Sequence, residues 1–117
     1  MDLTAAVTGV FDEAYLVGGA LRDALLNRPF KDIDLAVPPS ADFGEKTRRL
    51  ARKLGAAAFP LDEENQVWRL TQRKAPYAQV DLMPFVGGTL AADLARRDFT
   101  INALALRLAP GLKFTAR

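Results

Sequence analysis

Lys31-Asp32-Ile33-Asp34-Leu35-Ala36-Val37 alternates without a break. Successive side chains of an extended chain point to opposite faces, so Ile33, Leu35 and Val37 fall on one side and Asp32, Asp34 and Ala36 on the other. The stretch predicts a strand with an apolar face and an acidic face. Upstream, Ala14–Val17 is a short apolar run that ends at Gly18-Gly19, the pattern of a buried strand followed by a tight turn. Ala20–Asn27 then holds good helix formers with Leu21 and Leu25 on one face, and Pro29 stops it. Leu3–Phe11 predicts a short opening helix, weakened by Gly9.

Downstream, Pro38-Pro39 breaks the chain. Ser40 is placed to cap a helix over Ala41–Leu54. In that helix Phe43, Thr47, Leu50, Ala51 and Leu54 form the inner stripe, and Gly55 ends it. Strands follow over Ala57–Leu61, Gln66–Gln72 and Ala78–Phe85. In the last, Val80 and Leu82 face one way, Asp81 and Met83 the other. Gly87-Gly88 is a loop, and Thr89 caps a helix from Leu90 to about Arg97. Periodicity leaves Ile101–Leu108 open between a strand and a buried helix. The order predicts an α/β fold built on a mixed sheet (α+β in its connectivity).

The chain has 117 residues, half of them apolar, which fits one domain with one small core. It contains no cysteine and no histidine. Disulfides, thiol nucleophiles, zinc thiolate sites, a Ser–His–Asp triad and a histidine general base are therefore excluded. Chemistry must run on carboxylates, Arg and Lys, hydroxyls, backbone amides and hard, oxygen-bound metals such as Mg2+ or Ca2+. The N-terminus has no basic region before an apolar stretch, and no run reaches the roughly 18 apolar residues of a membrane span, so a cytoplasmic protein is expected. The net charge of +2 says little about partners. The basic residues cluster, however, and Arg48, Arg49, Arg52, Lys53, Arg69, Arg73 and Lys74 are candidates for contact with RNA phosphates or for ordinary solvated faces.

Asp32 and Asp34 lie about 6.5 Å apart on one strand face, where two like charges repel unless a cation sits between them. A lone Asp-x-Asp is usually an ordinary solvated pair; its neighbours carry the signal. Gly18-Gly19 opens a helix, whose N-terminal amides favour a phosphate, and Arg22 stands one turn in with a guanidinium. Asp81, on the polar face of its strand, would stand beside Asp32 and Asp34 if the strands are neighbours. Three such carboxylates could hold two Mg2+ ions and orient a hydroxyl nucleophile. Arg96-Arg97-Asp98-Phe99-Thr100-Ile101-Asn102 supplies two guanidiniums for phosphates, with Asp98 and Asn102 suited to ribose hydroxyls. Composition alone leaves this run equally open to an ordinary helix end.

The run GGALRDALLNR at 18–28, followed by Asp32-Ile33-Asp34, resembles the GG…RD.LL.R…D.D signature of class II tRNA nucleotidyltransferases (CCA-adding enzymes) and bacterial poly(A) polymerases. RRDFTINALAL at 96–106 resembles the second motif of the same family almost letter for letter. The resemblance covers roughly residues 14–108. It implies a polymerase-β-like nucleotidyltransferase head domain that adds CMP and/or AMP from CTP or ATP to the 3′ end of tRNA. It also implies that Asp32 and Asp34 bind Mg2+, that Gly18, Gly19 and Arg22 hold the triphosphate, and that Arg97 and Asp98 contact the ribose while Asn102 supports the nucleotide site. Asp81 as a third catalytic carboxylate is inferred from its strand position. Family members continue into neck, body and tail domains, so residues 1–117 are expected to be a catalytic head that has been cut from a longer chain. A nucleotide- or RNA-binding module that kept the fold without the reaction, and a poly(A) polymerase, are the alternatives.

Overall fold

The computed structural model describes residues 3–18, 32–71, 79–95 and 105–109. In chain order the elements are α1 (Leu3–Thr8), β1 (Tyr15–Val17), β2 (Asp32–Val37), α2 (Phe43–Leu54), β3 (Ala57–Asp62), β4 (Val67–Thr71), β5 (Gln79–Pro84), α3 (Leu90–Ala95) and β6 (Ala105–Arg107). The six strands form one sheet in the order β3-β4-β5-β2-β1-β6. β2 and β5 pair in parallel at its centre, and the other described pairs are antiparallel. This is the mixed sheet that the sequence predicts. Ile101–Leu108, left open by periodicity, contributes the edge strand β6; its first four residues, and the helix predicted over Ala20–Asn27, lie outside the described residues.

The apolar face of the sheet makes the main core. Ile33, Leu35 and Val37 of β2, Val80 and Leu82 of β5, Leu16 of β1 and Leu70 of β4 pack with Leu3, Ala6 and Val7 of α1 and Phe43, Leu50 and Ala51 of α2. Full burial of a side chain of this size contributes about 1.5–3 kcal/mol relative to exposure, so these positions dominate the stability. α2 ends as predicted, with Gly55 at φ +66° and its N–H donating to the Arg52 carbonyl. Its start differs. Asp42 occupies the N-cap without a side-chain cap bond, and Ser40 contributes its backbone carbonyl to the Phe43 N–H. The Ser40 hydroxyl instead bonds the Asp42 carboxylate. α1 stops at Thr8, three residues short of the expected end, although single bonds from Gly9 and Phe11 continue its last turn.

The opposite face of the sheet is covered differently. Val17, Ala36 and Phe85 form a small second cluster with Tyr15, Leu90 and Ala105 packed around it. The polar residues of the central strands stand beside this cluster.

Candidate active site

The Asp34 backbone is fixed on both sides, paired with Val17 in β1 and with Asp81 in β5. The alternation that buries Ile33, Leu35 and Val37 therefore puts Asp34 on the less covered face, next to the end of β1. β1 leads there into Gly18, which adopts φ +72°, a conformation that L side chains rarely adopt. A Cβ on Gly18 would lie 3.1 Å from Asp34 Oδ2. The glycine turn and the carboxylate are thus in close approach, and the space between them exists because residue 18 has no side chain.

On the far side of Asp34, Asp81 is its register partner in the parallel β2–β5 pair. The two strands are neighbours, and the two residues share one register position. Asp81 also has a partner that sequence reasoning missed. Arg69, its register partner across β4–β5, donates from Nε to Asp81 Oδ1 at 2.9 Å and from Nη2 to Oδ2 at 3.1 Å. The pair is partly buried, with side-chain exposures of 29% for Arg69 and 13% for Asp81. That Arg69 shares the polar face of β4 follows from its place between Trp68 and Leu70, but no local pattern gives the register that sets it against Asp81. Arg69 is therefore engaged within the sheet. Among the described residues no group of three carboxylates is close enough to hold a metal; the side chain of Asp32 lies outside them.

Tyr15 stands two residues before Val17 on the same face. Its hydroxyl donates to Glu13 Oε2 at 2.7 Å, and its ring meets Phe85 at 5.8 Å. The bond to Glu13, with burial, pushes the phenol above its ordinary value. Asp93 is a second residue that the sequence reading passed over. It is fully buried in α3, and its Oδ1 accepts the Val86 N–H at 2.9 Å, tying the loop after β5 to the helix that leads toward Arg96. Thr89 caps that helix as expected, accepting from the Ala92 N–H at 3.1 Å.

Gly19, Arg22, Arg97, Asp98 and Asn102 lie outside the described residues, as do Arg73 and Lys74. Arg48, Arg49, Arg52 and Lys53 are exposed on α2, whose inner stripe packs on the apolar face of the sheet. They therefore lie on the side away from Asp34, and Arg48 stacks on the Trp68 ring at 4.9 Å. No described helix is long and apolar enough to cross a membrane.

Residues 14–114 match the family described as the poly(A) polymerase head domain. Over 93 residues the chain is 50% identical to a CC-adding tRNA nucleotidyltransferase of Geobacter sulfurreducens, covering 80% of this chain and 21% of that protein. It is 48% identical over 94 residues to an A-adding tRNA nucleotidyltransferase of Deinococcus radiodurans, covering 80% of this chain and 20% of that one. Among solved structures, a tRNA nucleotidyltransferase complexed with a primer tRNA and an incoming ATP analogue superposes with a TM-score of 0.74 at 29% identity, over 97% of this chain and 33% of that chain. A CCA-adding enzyme with CTP gives 0.73 at 32% identity, over 92% and 26%. The chain thus spans about a fifth of the length of the two relatives. The match runs from the start of β1, through the Asp-x-Asp strand, to beyond β6, and the chain belongs to the poly(A) polymerase head-domain family.

Proposed function

We propose that this chain is the catalytic head of a tRNA nucleotidyltransferase, which transfers CMP and/or AMP from CTP or ATP to the 3′ hydroxyl of tRNA. The observation that carries the reading is the close approach of Gly18 to Asp34 Oδ2, which sets a hard anionic oxygen beside a turn of the kind that admits phosphate. The relatives named CC-adding and A-adding support the substrate class. Neck, body and tail domains of a longer protein, and a cytoplasmic setting, go with this reading.

The donor chemistry fits Mg2+. Carboxylate oxygens are its usual protein ligands, one or two being sufficient when substrate phosphates complete the shell. Asp32 and Asp34 are the residues that would hold it. When bound, the metal lowers the pKa of the attacking hydroxyl and offsets charge on the departing pyrophosphate. The residues of this chain do the rest. Gly18, Gly19 and Arg22 hold the triphosphate, Arg97 and Asp98 contact the ribose, and Asn102 supports the nucleotide site. Asp81 accepts a hydrogen bond from the RNA 3′ hydroxyl. That hydroxyl gives its proton to the Asp81 carboxylate as its oxygen forms the new bond to the α-phosphorus, the bond to the bridging α–β oxygen breaks, and pyrophosphate leaves.

Incorporation of labelled CTP and ATP into tRNA by the full-length protein tests the proposal. Asp32→Ala with Asp34→Ala is expected to abolish it. Undiminished incorporation by that double variant would refute the mechanism. Nucleotide binding by the wild type with no turnover would favour the binding module instead, and addition of long A tails in place of CMP or a single AMP would favour the poly(A) polymerase.

A further inference from the structure

Gly18, Asp34, Asp81 and Arg69 form a row across one face of β1, β2, β5 and β4. Asp34 has the glycine turn on one flank and the Asp81–Arg69 pair on the other. We propose that Arg69 is a positioning residue for the reaction, holding Asp81 toward the RNA 3′ hydroxyl on the flank of Asp34 opposite the triphosphate. This rests on the nucleotidyltransferase reading above and adds to it a residue and a direction.

Three physical points carry the assignment. First, in phosphoryl transfer the attacking and leaving oxygens are roughly in line, so they approach the metal-binding carboxylates from opposite flanks. With the triphosphate at the glycine turn, the hydroxyl falls on the side of Asp81. Second, two carboxylates directly opposite on neighbouring strands repel, and an unrestrained Asp81 would turn away from Asp34. The Arg69 guanidinium offsets that charge from the far side. Third, the contact is two-point, Nε to Oδ1 and Nη2 to Oδ2, so it fixes the plane of the carboxylate as well as its place. It uses one acceptor site on each oxygen, and a carboxylate has about four, so Asp81 keeps capacity to accept from a hydroxyl.

The test is steady-state kinetics of the full-length protein with tRNA and CTP or ATP, beside equilibrium binding of the same nucleotides. Arg69→Gln is expected to lower kcat about 10–100-fold, the usual cost of losing a group that orients a functional ligand, with nucleotide Kd unchanged within about twofold. Arg69→Lys, which keeps the charge and loses the fork, recovers only part of the rate. The reversed pair Arg69→Asp with Asp81→Arg keeps an ion pair between β4 and β5 but removes the carboxylate from β5. It is expected to fold and to be at least as slow as Arg69→Gln. If Arg69→Gln fails to fold, the reversed pair and Arg69→Lys still decide. Wild-type kcat in any of the three variants, or a loss of nucleotide affinity matching the loss of kcat in Arg69→Gln, overturns the inference. Loss of activity in Asp32→Ala with Asp34→Ala alongside a normal Arg69→Gln would sink this inference alone and leave the reading of the site intact.

Discussion

Gly18→Ala is the substitution whose effect can be worked most fully from the structure. Two terms act. The backbone at residue 18 has φ +72°, and an L side chain in the left-handed region costs about 1–2 kcal/mol. The new Cβ would also stand 3.1 Å from Asp34 Oδ2, about 0.3 Å short of an ordinary van der Waals contact. Gly55→Ala isolates the first term, because Gly55 has φ +66° and its Cβ would meet nothing within 4 Å. Both variants should therefore lose about 1–2 kcal/mol, lowering Tm by roughly 5–15 °C at about 4–8 °C per kcal/mol for a domain near 100 residues. Circular dichroism melts of the 117-residue chain measure this. Only Gly18→Ala should displace the carboxylate. A 1 Å misplacement of a reacting group costs on the order of 10²-fold, so a shift of about 0.3 Å predicts roughly a fourfold fall in nucleotide incorporation by the full-length protein. Gly55→Ala should leave that rate unchanged. Equal losses of activity in the two variants, or none in Gly18→Ala, would refute the claim that the glycine is there to admit the carboxylate.

Asp93→Ala removes the acceptor of the Val86 N–H and is expected to cost about 1–3 kcal/mol in urea denaturation, with Asp93→Asn costing less because an oxygen acceptor remains. Leu82→Ala, at the fully buried centre of β5, should cost about 2–5 kcal/mol, whereas Leu61→Ala on the exposed edge strand should change stability by no more than about 0.5 kcal/mol in the same assay. The Ser40 hydroxyl, assisted by Lys46, holds the Asp42 carboxyl below its ordinary value. A depressed folded value adds stability above the unfolded pKa, near 3.9, and that stability is lost as pH falls through the folded value. Denaturant titrations of the wild type and Asp42→Asn should thus differ at pH 5 and converge as the pH falls below the unfolded value.

The local pattern of β2 and β5 made their faces legible. An apolar residue at every second position admits one orientation of each strand once one face is buried. Gly55 and Thr89 were legible for a similar reason, since a left-handed terminus and an orphan amide are local requirements with few residue solutions. The start of α2 was not. Ser40 and Asp42 are both good caps, and which of them faces the helix depends on how the Pro38-Pro39 segment delivers the chain. The order β5-β2 at the sheet centre and the pairing of Arg69 with Asp81 depend on contacts between distant segments, which no window of sequence contains. Asp93 was missed because a carboxylate inside Leu90–Ala95 looks like a surface charge until the Val86 amide that it satisfies is known to pass beside it.

The same alternation that makes the core also makes the site. Ile33, Leu35, Val80 and Leu82 are all no more than 1% exposed, and between them in sequence stand Asp34 and Asp81, partnered across the strands in the same register. Placing two like charges side by side is unfavourable, and the Arg69 guanidinium paired with Asp81 offsets part of it. The opposite face supplies the compensation. Slipping β2 against β5 by one residue would carry Asp34 into the packing of α1 and α2 and lift Ile33, Leu35 and Val37 out of it, a loss far larger than the repulsion between the two carboxylates. The apolar residues therefore hold the acidic ones together, and substitutions in these two strands should divide by parity. Those at Ile33, Leu35, Val80 and Leu82 act on folding, and those at Asp34 and Asp81 act on chemistry.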